Sequence, residues 1–264
     1  MKVAALQMVS GPDVAANLAT ARRLLEQAAA QGARLAALPE YFCLIGQHDR
    51  DKLAIAESLG DGPMQTMLAT AARELGLYVV GGTLPLKAET PDRVRNSTLV
   101  FDPQGQRIAR YDKIHLFAFD NGRESYDEGR VLEAGSEPAS FEVDGLRVGL
   151  SVCYDLRFPE LFRRYAPVDL LLVPAAFTHT TGQAHWELLL RARAVENQCY
   201  VIAPAQGGTH ENGRRTWGHA MVIDPWGDVL AVQPEGPGVA LAELNRARLD
   251  EVRTRLPALT HRVL

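Results

Sequence analysis

The stretch GLSVCYDLRFPEL, residues 149–161, passes within a few positions from an apolar run into a pattern of helical spacing opened by a proline. A short apolar run that stops at a turn and restarts with helical period marks a strand feeding a helix, the repeating step of an α/β protein. It sets Cys153 at the carboxyl end of the strand, where such folds keep reactive groups. A cation or a helix start nearby favours the thiolate there, and the backbone N–H of Tyr154 can point at a developing oxyanion. The competing reading is a buried structural thiol, because free cysteine packs readily into cores. Cys43 and Cys199 take that reading.

Working outward, the same alternation runs through the chain. Strands are expected at Val3–Met8, Leu35–Pro39 and Tyr78–Leu84, with helices at about Val14–Gln31 and Pro63–Leu75 between them. Ser97–Phe101 and Arg107–Tyr111 flank the turn sequence DPQG and read as a hairpin, as do Ser140–Val143 and Val148–Cys153 around Asp144-Gly145. Helix Pro159–Arg164, strand Leu170–Pro174 and helix Ala184–Asn197 follow, then strands Tyr200–Ala203, Ala220–Asp224, Val229–Val232 and Val239–Glu243. Trp186, Leu189, Leu190 and Ala194 recur at helical spacing and read as packing. Lys87–Arg95 reads as an exposed loop, and the last twenty residues as irregular chain over a neighbour. Hairpins mixed with crossovers imply an α/β fold of two sheets packed together with helices outside, a four-layer α-β-β-α sandwich. With no linker-like shift in composition, residues 1–264 read as one domain.

Composition narrows the function. Hydrophobic residues make up 47% of the chain and the formal charge is -4, so no basic excess points to nucleic acid or an anionic membrane surface. No apolar run approaches the roughly 18 residues that span a bilayer, and MKVAALQMVSGPD reads as a buried first strand rather than an export signal. Three cysteines without CxxC spacing suit free thiols in a reducing cytoplasm, and exclude a disulfide framework or structural zinc. A small molecule is the expected partner, with no cofactor and no metal.

Two further residues carry chemistry. Glu40 ends the apolar run LAALPE, where a carboxylate at a strand end can act as general base toward a thiol; an exposed loop-edge charge is the alternative. Lys113, in ARYDKIHLF, follows another strand and can stabilise an oxyanion or lower a thiol pKa, against the alternative of an ordinary surface lysine. His115, His179, His185 and His219 would support a Cys–His reading only if one were oriented by Asn or Asp in space.

Taken together, ALPEYF (37–42), YDKIHLF (111–117) and VCYDLRFPEL (152–161) resemble the three signature blocks of the nitrilase superfamily of carbon–nitrogen hydrolases, in that family's order. The likeness extends from KVAALQM to GHAMVIDPWGDVLA. It implies a Glu–Lys–Cys triad in the four-layer fold. Cys153 attacks an amide carbonyl, Glu40 takes the thiol proton and later activates water, and Lys113 with the Tyr154 amide holds the oxyanion. A second family glutamate matches ESYDEGR at Glu124, ahead of Asp127 and Glu128. Within the superfamily, residues 174–208 and the tail LPALTHR are similar to the branch that hydrolyses deaminated glutathione to 2-oxoglutarate and cysteinylglycine. The omega-amidases acting on 2-oxoglutaramate are the alternative, and another linear amide, a carbamoyl group or a nitrile keeps the same triad. A catalytically silent binding protein of this fold is the third reading. A doubly anionic substrate asks for cations, for which Arg157 and Arg123 are candidates. Tyr41, Phe177 and Thr178 are the remaining candidate substrate contacts, and the resemblance implies a homodimer or larger even homo-oligomer.

Overall fold

Strand Lys2–Met8 alternates its side chains between two cores. Val3 and Ala5 join the apolar cluster shared by both sheets, whereas Ala4, Leu6 and Met8 join the cluster under the helices Val14–Ala30 and Pro63–Leu75. The parity repeats in Leu35 and Ala37 against Ala36 and Leu38, and in Val80 and Val100 against Val79 and Leu99. Because successive strand residues face opposite sides, a fully apolar strand must be covered on both faces. That condition generates the four layers seen in this computed structural model, which describes residues 1–120, 122 and 125–263.

The first sheet has nine described strands. Lys2–Met8 runs parallel to Leu35–Ala37, which runs parallel to Tyr78–Val80. Val94–Phe101 then turns antiparallel and carries Leu84–Lys87 and Arg107–Asp112. On its other side Lys2–Met8 meets Gly238–Glu243 antiparallel and, at Gln7 and Met8, Ala205–Thr209 in parallel. Arg215–Trp217 pairs beyond that. The second sheet has six described strands with Leu146–Leu150, Leu170–Leu172 and Tyr200–Ala203 parallel at its centre. Its outer face is covered by Pro159–Arg164 and His179–Asn197, which contribute Leu161, Phe162, Trp186, Leu190 and Ala194 to the core.

Several boundaries differ from the sequence reading. Tyr78–Leu84 is two strands, Tyr78–Val80 and Leu84–Lys87, because the chain turns at Gly82, whose φ is +48° and whose Cβ position would lie 2.0 Å from the Pro39 carbonyl oxygen. Leu84–Lys87 pairs with Val94–Ser97, so the exposed loop is confined to 88–93. The helix expected from Ala184 begins at His179, capped by Thr178, with Gly182 letting it approach Trp217 closely. The tail is irregular only after its first half: Arg246–Arg255 is a helix capped by Asn245 that buries only Leu249 and Val252, too sparse an apolar stripe to read as one. Among the described residues, no helix is long and apolar enough to cross a membrane.

Candidate active site

Three strand ends meet at one end of the sandwich. Glu40 lies three residues beyond Leu35–Ala37, Lys113 directly follows Arg107–Asp112, and Cys153 lies three residues beyond Leu146–Leu150. The thiol turn is pinned at its start, where the Cys153 N–H donates to the Pro174 carbonyl at 2.9 Å, extending the pairing to the next strand. Cys153 has φ +51° and Tyr41, next to Glu40, φ +56°. Left-handed backbone at a non-glycine costs roughly 1–3 kcal/mol, so the surrounding fold must impose both conformations.

The polar groups form one connected set. Lys113 Nζ donates to Glu40 Oε1 at 2.9 Å and to both oxygens of Glu128, at 3.1 and 2.8 Å. Glu40 also accepts from Asn96 Nδ2 at 2.9 Å through Oε1 and from the Ala176 N–H at 3.0 Å through Oε2. Glu128 accepts from the Tyr41 hydroxyl and the Phe117 N–H, each at 2.8 Å. Glu40, Lys113, Glu128 and Cys153 are all buried. Burial opposes the Lys113 ammonium, but Glu128 and then Glu40 outweigh it and hold the pKa well above the ordinary lysine value. Burial opposes the Glu128 carboxylate too, and Lys113 with the N–H and O–H donors brings its pKa below the usual one. The thiol goes the other way: burial, then the Glu40 charge, push Cys153 far above an ordinary cysteine, with Lys113 only partly compensating. One ammonium shared by two carboxylates cannot also support a resting thiolate. The arrangement therefore holds a neutral thiol beside a carboxylate able to take its proton as a bond forms.

A second clamp joins the two loops. Asp155, fully buried, accepts from the Val152 N–H at 2.8 Å and the Tyr111 hydroxyl at 2.7 Å on one oxygen. Its other oxygen takes the His115 N–H at 3.0 Å and faces His115 Nδ1 at 2.7 Å. His115 thus belongs to the Asp155 clamp and stacks on Phe158 with ring centroids 3.8 Å apart. His185 contacts Arg157, and His179 and His219 pack on Trp217. None of the four lines the cavity at the thiol.

That cavity, about 340 Å³, is bounded by Glu40, Glu128, Cys153, Tyr154 and, farther out, Arg157, Phe177 and Thr178. Arg157 stacks over Phe177 at 5.4 Å and over Tyr154 at 5.9 Å. Tyr41 is part of the neighbouring cavity, its hydroxyl committed to Glu128. Glu124 and Arg123 lie outside the described residues; the carboxylate that meets Lys113 is Glu128, which the sequence reading ranked below Glu124. Asn96 and Arg214, which also border the site, carried no motif that singled them out.

The carbon-nitrogen hydrolase family model matches residues 2–254. A deaminated glutathione amidase of Synechocystis sp. is 43% identical over 266 residues, covering 98% of this chain and 97% of its own. Nit3 of Saccharomyces cerevisiae, a member of branch 10 of the nitrilase superfamily, superposes with a TM-score of 0.88 at 30% identity, over 100% of this chain and 97% of its own. A mutant amidase of Nesterenkonia sp. AN1 superposes with a TM-score of 0.83 at 27% identity, over 100% of this chain and 94% of its own. It carries the acetamide moiety of fluoroacetamide covalently added at its active-site cysteine.

Proposed function

From the premise that this chain belongs to the carbon-nitrogen hydrolase family, we propose that Cys153 is the nucleophile of an amidase whose preferred substrate is deaminated glutathione. The observation that carries the chemistry is the neutral, buried thiol beside Glu40 and Lys113. As the sulfur attacks the amide carbon, its proton passes to Glu40, and the oxyanion forms against the Lys113 ammonium and the Tyr154 N–H. Collapse breaks the C–N bond, the proton on Glu40 goes to the leaving amine, and a thioester remains. Glu40 then takes a proton from water as its oxygen adds to the thioester carbonyl. The second collapse releases the acid, and the proton returns to sulfur. Glu128 touches neither sulfur nor substrate in this sequence; it keeps Lys113 charged and aimed.

The substrate preference is supported by the similarity to the Synechocystis amidase and by cations at the cavity. Arg157 binds the 2-oxo acid carboxylate through its planar fork, over an apolar floor made by Phe177, with Thr178 at the wall. Release of 2-oxoglutarate from deaminated glutathione and from 2-oxoglutaramate, measured side by side at matched concentrations, tests this. The peptide should be strongly preferred; preference for 2-oxoglutaramate would make the protein an omega-amidase, and release from neither would leave only the family chemistry.

Residues 1–264 act as one catalytic domain. Its three free thiols suit the reducing cytoplasm. A homodimer is supported by one surface. Leu188 and Val195 are exposed on one face of helix His179–Asn197. Exposed Trp226 adjoins Val195 through Gly227, and Arg255 lies over its ring beside exposed Leu256. Contiguous exposed apolar groups of this kind mark protein contacts.

A further inference from the structure

A second and larger cavity, about 870 Å³, shares Phe117, Thr178 and Arg214 with the thiol cavity and is otherwise unused by the chemistry above. Its charged walls are Lys52, Arg214 and Asp49, with His48 beside them. Lys52 has only 14% of its side chain exposed, with Nζ 4.9 Å over the Tyr41 ring; it donates to the Asp49 carbonyl at 3.4 Å and makes a loose 3.8 Å contact with the Asp49 carboxylate, which is itself 52% exposed. Arg214 makes no ion pair among the described residues; its guanidinium lies over Tyr126 at 5.8 Å and reaches the Ala176 carbonyl at 3.4 Å. Burial lowers the Lys52 pKa, the Asp49 and Glu128 charges offset part of that, and the Arg214 charge lowers it further, so two like charges face one cleft.

The position of the cleft says which anion these cations suit. Arg214 borders both cavities and feels the charge of Glu40, so the cleft begins beside the thiol site. The smaller cavity suits the five-carbon acyl part, already provided with Arg157. The larger one has room for a peptide, and two extended residues carry a terminal carboxylate about 7 Å from the scissile nitrogen. We propose that this cavity is the leaving-group subsite, in which Lys52 and Arg214 receive the C-terminal carboxylate of the departing peptide. The assignment rests on the reading of the protein as an amidase for a peptide-like 2-oxo acid amide and says how it selects that substrate over a primary amide.

The test compares wild-type kcat/KM for deaminated glutathione with that for the same molecule bearing a C-terminal carboxamide, and repeats the pair in Lys52→Met. Wild type should prefer the acid by roughly 10- to 100-fold, the worth of a hydrogen bond to a charged group, and the ratio should fall toward one in the variant. Equal rates on acid and carboxamide in wild type overturn the subsite, as does an unchanged ratio in Lys52→Met. Turnover of neither compound overturns the substrate reading and the subsite with it. The wild-type comparison stands even if the variant folds poorly.

Discussion

At Cys153 the proton is the central problem. Burial and the Glu40 charge raise the thiol pKa, so the thiolate fraction is small at neutral pH and grows with pH through and beyond the ordinary thiol value of about 8.5. Alkylation by a small neutral thiol reagent, followed at Cys153 by mass spectrometry, should therefore still be rising at about pH 9. A plateau reached below neutrality would reveal a preformed thiolate and reject the concerted transfer. Cys153→Ala should lower kcat by a factor on the order of 10⁴ or more with little change in the melting temperature; persisting turnover would reject the nucleophile. Glu128→Gln removes one of two carboxylates from a buried lysine, a change of about 3–5 kcal/mol for such pairs. It should appear as a lower urea midpoint together with a fall in kcat. A fall in KM alone would contradict its role in aiming Lys113. Glu40, Lys113 and Cys153 were legible because each stands at the end of an expected strand within a motif that resembles a family block. Glu128 was not: it shares the segment ESYDEGR with Glu124, and only tertiary contact tells one carboxylate from the other.

At the scale of elements, strand ends and the loops that leave them decide the geometry. Asp155 ties the thiol turn to the Lys113 loop with four contacts, all to an acceptor-only carboxylate. Asp155→Asn turns one donor-facing oxygen into an NH₂ group, so unfolding free energy should drop by about 2–4 kcal/mol and kcat should fall more than KM rises. An unaltered kcat would confine Asp155 to stability. Gly82 has the left-handed φ and the near contact with the Pro39 carbonyl that only glycine accepts, one residue from Glu40. Gly82→Ala should cost at least about 2 kcal/mol by thermal or urea unfolding; a neutral result would show that the loop can relax. The sequence pattern located the long strands and helices, since period and turn residues are local. It missed the break at Gly82 and the tail helix, where close approach and sparse packing govern.

For the whole molecule, the proposed homodimer rests on the apolar face around Leu188, Val195 and Trp226. Val195→Glu should shift the protein from dimer to monomer by light scattering, because a carboxylate buried between two copies lacks a partner. A wild-type protein that is already monomeric at working concentration would remove the dimer.

The resemblance carried by three motifs in order gives the class of chemistry, and strand alternation gives the α/β layering, because periodicity and the residue types around Glu40, Lys113 and Cys153 are written locally in the chain. What only the tertiary structure decides is which distant groups converge. Glu128 joins Lys113 across 15 positions of chain, Ala176 reaches Glu40 across 136, and Lys52 and Arg214 meet at one cleft. Hydrogen bonding and charge act over a few ångströms of space, and separation along the chain carries no record of that distance until the sheets have packed.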